Sequence, residues 1–209
     1  MANLLTPAIE KYLAEVLPPR DSVLTDMEAY ARKHDVPIIG PECGRLLYLL
    51  TQISGAKRIF EMGSAIGYSA IWFARAAGPN AEIYFTDGDP KNAALARENF
   101  RKAGVTDQVR ILTGDAVDLL DTVTGDFDII LIDVFKHQYP EALRKSIPRL
   151  KHGGLVITDN VLWSGKVTET PKDDATRGVV EFNKMVYASE ILFPVIVPLR
   201  DGVAVCRKV

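Results

Sequence analysis

Cysteine is scarce: Cys43 and Cys206 are the only two in 209 residues, far apart and in no CxxC pair. That excludes a disulfide-stapled scaffold, and both residues read as buried free thiols of a reducing compartment. Charge of one sign is also lacking, since 25 Lys and Arg face 27 Asp and Glu for a net charge of −2. The charges are interspersed, which argues against a nucleic acid or an anionic membrane as partner. No apolar run approaches the roughly 20 residues that span a bilayer. The opening stretch MANLLTPAIEKYL has no basic start, and Thr6-Pro7 and Glu10-Lys11 interrupt its apolar run. A targeting segment is therefore not expected, and the chain reads as cytoplasmic. Repeats and low-complexity tracts are absent. The three histidines, His34, His137 and His152, show no paired ligand spacing.

What remains suits one domain over 1–209, large enough to bury about 70% of its unfolded surface. Helical patterns come first, over 1–55. Thr6-Pro7 opens one that Pro18-Pro19 stops. Residues 22–34 form a second, the loop DVPIIG follows, and Pro41 opens a third. From 56 onward, strand-length apolar runs at 57–63, 81–87, 109–115, 127–133 and 153–160 alternate with helices starting near Tyr68, Pro90, Ala116 and Tyr139. Such alternation builds a parallel sheet covered on both faces. After a helix near 175–188, the runs 190–198 and 202–209 are joined by only Leu199-Arg200-Asp201. That link is too short for a parallel crossover, so the two runs predict an antiparallel hairpin at the sheet edge. Pro194 and Pro198 are tolerable there. The fold class is α/β, with seven mostly parallel strands, a C-terminal hairpin and N-terminal helices in front.

Ligands of open α/β sheets sit outside the carboxyl ends of the strands. Those ends carry Glu61 and Gly63, Asp87, Gly114-Asp115, Asp133, and Asp159-Asn160. N-capping accounts for any one of these as well as a ligand does, but poorly for all five. The first loop reads E-x-G-x-x-x-G-x-S, from Glu61 to Ser69. It has Gly63 and Gly67 but not the G-x-G-x-x-G of a pyrophosphate site. Ser69 sits where it can hydrogen-bond a ligand carboxylate, and Asp87 where it can hold ribose hydroxyls. The loop and Asp87 together point to a nucleoside ligand. Asp133, Asp159 and Asn160 offer oxygen only, which suits Mg²⁺, Ca²⁺ or Mn²⁺. Lys136 reads as a solvated surface lysine by default. Beside a divalent cation its ammonium would be disfavoured, and it becomes a candidate base. Phe135 reads most simply as core. Trp163 reads as core or as the wall of a planar substrate pocket.

These residues carry a resemblance across nearly the whole chain. FEMGSAIGYSA, TDGDP, the GDA at 114–116, LID at 131–133 with Lys136, the most specific stretch TDNVLWSGKV, and the closing DGVAVCRK resemble the cation-dependent class I O-methyltransferases. That group contains catechol and caffeoyl-CoA O-methyltransferases. The resemblance implies a Rossmann-like class I methyltransferase sandwich and S-adenosylmethionine as methyl donor. By matching position, Glu61, Gly63, Ser64, Tyr68 and Ser69 would surround the donor's amino-acid and ribose end, and Asp87 its ribose hydroxyls. Asp115 and Ala116 would lie beside the adenine, with Asp133 and Ile39 completing the donor site. Asp133, Asp159 and Asn160 would hold the metal, Mg²⁺ first and Mn²⁺ or Ca²⁺ as alternatives. Lys136 would be the general base, acting with Asp133. Ile38, in the loop 36–39 over donor and acceptor, would line the acceptor pocket with Phe135 and Trp163. The chain departs from the D-A-D-K of many members, having DVFK with Phe135 in place of the middle acid, so a more apolar acceptor pocket is expected. The implied acceptor is a catechol-type small molecule, and relatives are commonly homodimers. The rival readings are a donor-binding, non-catalytic relative and a nucleotide-dependent oxidoreductase.

Overall fold

The structure is a computed structural model that describes residues 6–209. The expectation drawn from the opening stretch falls partly on residues 1–5, which lie outside the described residues. Helix α1 (Pro7–Glu15) begins at the expected Thr6 cap and buries none of its residues. Helix α2 (Ser22–His34) is capped by Asp21, whose side chain accepts from Val23 and Leu24 N–H groups. It stops at Asp35, in the left-handed region at φ 53°. Helix α3 (Gly40–Ser54) starts one residue before Pro41.

The alternating part follows as β1 (Arg58–Met62), α4 (Tyr68–Ala77), β2 (Glu82–Asp87), α5 (Pro90–Ala103), β3 (Val109–Thr113) and α6 (Ala116–Thr122). Then come β4 (Phe127–Ile132), α7 (Tyr139–Ser146), β5 (Leu150–Thr158), α8 (Asp174–Ala188), β6 (Leu192–Val197) and β7 (Val203–Lys208). The sheet order is β3-β2-β1-β4-β5-β7-β6. The first five strands are parallel, and β7 pairs antiparallel with both β5 and β6. The hairpin is therefore as expected, with its second strand inserted inside its first. β6 is the outer strand, a position where a proline such as Pro194 is tolerated. β5 starts at Leu150 rather than 153, because Leu150 pairs with Phe127 before the register shifts between Phe127 and Ile129.

Neighbouring residues of each central strand face opposite cores. Ile59, Phe85, Ile129 and Ile157 pack with Leu47, Ile71 and Phe100 of α3, α4 and α5. Phe60, Met62, Ile130 and Val156 pack with Leu120, Leu143 and Phe182 of α6, α7 and α8. Burial on both faces is what makes these strands read as continuous apolar runs. Cys43 and Cys206 are both buried and free, one in each core. Among the described residues, no helix is long and apolar enough to cross a membrane.

Candidate active site

The strand order reverses direction of winding between β1 and β4, and there the crevice opens. Backbone bonds extend the ladder one residue past the strands and align their ends. Asp133 N–H donates to Met62 O at 2.8 Å, Asp159 N–H to Ile132 O at 3.3 Å, and Ser64 N–H to Thr86 O at 3.0 Å. The ends of β2, β1, β4 and β5 thus present Asp87, Gly63, Asp133 and Asp159 side by side. Gly63 has φ +82°, and a Cβ there would collide with the Asp133 carbonyl oxygen. Only glycine allows this approach.

The acidic strand ends separate by role. Asp115 is an N-cap: its Oδ1 accepts from Val117 and Asp118 N–H at 2.9 and 3.2 Å, and its Oδ2 from Gln138. The α5 cap falls to Asp89, which accepts from Lys91 N–H at 2.8 Å, so Asp87 is free of that duty. Asp87 Oδ1 is held by Asp89 N–H and Asn92 Nδ2 at 2.8 and 3.1 Å. Ala116, behind Asp115, is buried.

Glu61 is fully buried, and neither carboxylate oxygen has a hydrogen-bond partner among the described residues. Burial pushes its pKa up to about 7; the nearby Ser69 and Ser64 hydroxyls pull it down, and the charges of Asp133 and Asp87 raise it. Neither hydroxyl completes a well-formed bond to it, so an orphaned carboxylate waits at the floor of the glycine loop. That is a site for a cationic group, and the ammonium of S-adenosylmethionine fits it. Tyr68 is buried beside the loop, and its hydroxyl donates to Glu28 Oε1 at 2.7 Å. Arg20 grips the same Glu28 with two bonds of 2.9 and 2.7 Å. Helix α2 is thereby tied to the start of α4.

Asp159 is buried, and burial and the charge of Asp133 push its pKa up. Asn160, next in chain, has φ 56°, a left-handed conformation that Asn tolerates well. Its N–H donates to Asp159 Oδ1 at 2.9 Å. Tyr139 Oη donates to the Asp159 carbonyl at 2.8 Å from the opposite core and fixes this corner. Among the described residues, no group of three or more His, Cys, Asp or Glu side chains is arranged to hold a metal. The trio is two carboxylates and an amide, so the fit rests on its donor chemistry. Two mutually repelling carboxylates beside an amide suit an oxygen-seeking divalent cation.

Lys136 is not a solvated surface lysine, since its side chain is only 12% exposed. It begins a short 3-10 turn, Lys136–Gln138. Its Nζ donates to Asp133 Oδ1 at 2.9 Å. The same nitrogen lies 4.9 Å from the Tyr139 ring centre and 5.8 Å from that of Trp163. Gly178 of α8 backs this turn so closely that a Cβ would strike the Lys136 carbonyl. Trp163 is half-buried against the second core and donates from Nε1 to Thr176 Oγ1 at 3.2 Å. Phe135 departs from the core expectation: it is 75% exposed and stacks on His137, ring centres 6.0 Å apart. Its backbone turns out of the strand end, so an apolar side chain stands at the rim. Ile39 is buried and Ile38 is half-buried in the first core.

Sequence reasoning missed Tyr139, Gly178 and Glu28, whose roles depend on contacts between distant elements. Only Gly178 left a signal, as a glycine within a helical pattern.

The O-methyltransferase family profile matches residues 20–209. A catechol O-methyltransferase of Niastella koreensis is 36% identical over 196 residues, covering 90% of this chain and 89% of that one. A caffeoyl-CoA O-methyltransferase of Eucalyptus gunnii is 28% identical, covering 99% and 89%. The crystal structure of an O-methyltransferase from Bacillus cereus in complex with SAH superposes with a TM-score of 0.88 at 29% identity, covering 97% of each chain.

Proposed function

The chain belongs to the O-methyltransferase family and is an S-adenosylmethionine-dependent methyltransferase; from that premise we propose that it methylates one hydroxyl of a catechol-type vicinal diol with the help of a divalent cation. The observation that carries this reading is the pairing of Lys136 Nζ with Asp133, 2.9 Å apart, beside the buried, electrostatically strained Asp159.

Asp133, Asp159 and Asn160 are the residues that would hold the cation, with Mg²⁺ the first choice and Mn²⁺ or Ca²⁺ next. When bound, such an ion supplies Lewis acidity that lowers the pKa of a nearby hydroxyl. The chain's own residues do the rest. Glu61 receives the donor's ammonium, and Ser64 and Ser69 line the same loop. Asp87 is the ribose ligand, and Asp115 with Ala116 borders the adenine. Ile38 and Ile39 cover the donor and acceptor, while Phe135 and Trp163 flank the acceptor ring. Lys136 Nζ, acting as the free amine, takes the hydroxyl proton and becomes the ammonium that pairs with Asp133. The acceptor oxygen then bonds to the methyl carbon as the carbon–sulfur bond breaks and its electrons return to sulfur. The products are a methyl ether and S-adenosylhomocysteine. Because the sulfonium is already activated, alignment of oxygen, carbon and sulfur is the main contribution asked of the protein.

A homodimer belongs to the same reading. The support is that α1 buries no residue while Ile9 and Tyr12 stand exposed along it and Val16 at its C-terminal cap. Light scattering of the eluting protein should give twice the 23.0 kDa chain mass.

The deciding experiment is methyl transfer from S-adenosylmethionine to catechol, caffeate and 3,4-dihydroxybenzoate, with Mg²⁺ and with EDTA. Product that disappears with EDTA is the expected result. Equal product in both conditions removes the cation from the reading, and monophenols methylated as well as diols remove the diol.

A further inference from the structure

Between α2, the loop 36–39 and the turn 199–202 lies a cavity of about 450 Å³. Three arginines line it: Arg20, Arg32 and Arg200. Arg20 is spent, because both its bonds go to Glu28. Arg32 and Arg200 form no ion pair with any described residue, and the remaining lining carboxylate is Asp35 at the end of α2. Arg200 Nη1 donates to the Ile38 carbonyl at 3.2 Å, which leaves most of its guanidinium uncommitted. Three guanidiniums thus face two lining carboxylates, Glu28 and Asp35, and those of Arg32 and Arg200 stand outside any ion pair among the described residues.

Arg200 is held in place at a cost. It has φ 50°, a left-handed conformation in which glycine is favoured and a long side chain is strained. The turn is pinned to the segment just beyond the metal trio. Val161 N–H donates to Gly202 O at 3.0 Å, and Leu162 N–H to Asp201 O at 2.9 Å. Ser164 N–H donates to Asp201 Oδ1 at 2.5 Å. Gly40 lies beside the guanidinium: a Cβ there would come within 2.7 Å of Arg200 Nη1 and 3.3 Å of Glu42 Oε2, so the Glu42 carboxylate shares this corner. The turn that brings Arg200 to the cavity is thus bonded to the segment that directly follows Asp159 and Asn160.

We propose that the acceptor is a vicinal diol bearing a carboxylate, and that Arg200 and Arg32 receive that carboxylate while the diol faces Asp133 and Asp159. A planar guanidinium matches a carboxylate with two parallel hydrogen bonds, which a neutral amide cannot reproduce. The inference rests on the catechol-type reading above and adds which catechols fit.

The test is calorimetric binding in the presence of S-adenosylhomocysteine and Mg²⁺. The ligands are 3,4-dihydroxybenzoate and 3-(3,4-dihydroxyphenyl)propanoate, each against its primary amide, so that two reaches are sampled. At least one acid should bind about tenfold or more tightly than its amide, as charge-assisted hydrogen bonds imply. In Arg200→Gly, which relieves the positive φ, the ratio should fall to about one because the acid loses affinity. Arg32→Gln should reduce it in part. An acid that never outbinds its amide overturns the inference, as does a preference that survives both substitutions. Methylation of unsubstituted catechol is assayed beside it. If catechol and both acids fail there, the catechol-type reading falls, while the binding ratio still decides whether Arg200 receives an anion.

Discussion

Lys136 Nζ donates to Asp133 Oδ1 at 2.9 Å, joining the group placed to take a proton to a carboxylate placed to hold a cation. Tyr139 and Trp163 wall the amino group with their rings, whose centres lie 4.9 and 5.8 Å from Nζ. Asp133 sits one residue beyond β4, where its N–H continues the ladder onto Met62, and Lys136 follows three residues later. Sheet register therefore fixes the position of the chemistry.

The first consequence concerns Lys136→Ala. Loss of a positioned proton acceptor should lower kcat by about a hundredfold or more, while KM for the donor stays within a few-fold. Steady-state kinetics at saturating acceptor separates the two. An unchanged kcat removes Lys136 from proton transfer.

Asp159→Asn should act on stability and on cation binding in opposite directions. Without metal, the variant loses a carboxylate strained by burial and by Asp133, so it should melt higher than the parent. With Mg²⁺ the parent should gain stability, about 2.7 kcal/mol at a hundred times Kd, and the variant little. Thermal melts with Mg²⁺ and with EDTA check both signs. A variant that gains as much from Mg²⁺ as the parent would show that Asp159 is no ligand.

Much of this was legible in the sequence, for physical reasons. Strands buried on both faces leave apolar runs that differ from amphipathic helices, so the five parallel strands stood out. The three-residue link at 199–201 forced the hairpin. That β7 lies inside β6 left no local mark, since either strand could have paired with β5. Asp87 and Asp115 both close strands that lead into helices, but only Asp87 is followed by a separate capping pair, Asp89-Pro90. In the structure Asp89 caps α5 and leaves Asp87 available, whereas Asp115 caps α6 itself. Phe135 looked like core by composition, yet it stands at the rim, because no neighbouring element covers it. Arg200 looked like an ordinary turn residue until its φ and its neighbours were known.

Phe135, 75% exposed and stacked on His137, has no structural load that its removal would disturb. Phe135→Ala should leave the melting temperature within about a degree, as surface changes usually do. If it flanks the acceptor ring, KM for the acceptor should rise severalfold and KM for the donor should not. Equal KM values for both proteins would place Phe135 outside the acceptor pocket.

Gly178 tests how far the site depends on a helix that carries none of its chemistry. A Cβ at this position would strike the Lys136 carbonyl, and the turn at 136–138 would have to move away from α8. Overpacking of this kind typically costs about 1–3 kcal/mol. Gly178→Ala should therefore lower the melting temperature by several degrees and also lower kcat, because displacing the turn pulls Nζ from Asp133. Donor affinity, set at β1 and β2, should hold. A lower melting temperature with full kcat would mean that the turn can move without carrying Lys136 with it.

Glu61 supplies the pH dependence. Its carboxyl titrates at about 7 in the fold, chiefly because it is buried, against about 4.3 in an unfolded chain. The folded state thus binds the proton more tightly. That contribution to stability is fully present below about pH 4.3 and is lost as pH rises through about 7. The donor-free protein should accordingly melt lower at pH 8 than at pH 6, and Glu61→Gln should flatten part of that slope. Donor binding runs the other way. Its ammonium pairs with the ionised carboxylate, so donor affinity should rise between pH 6 and pH 8, by about tenfold if the whole shift is expressed. Calorimetric titration with S-adenosylhomocysteine reads this directly, since it keeps the same ammonium. Glu61→Gln should bind weakly at both pH values. If parent and variant show the same pH dependence, the buried carboxylate is not the partner of the donor's ammonium.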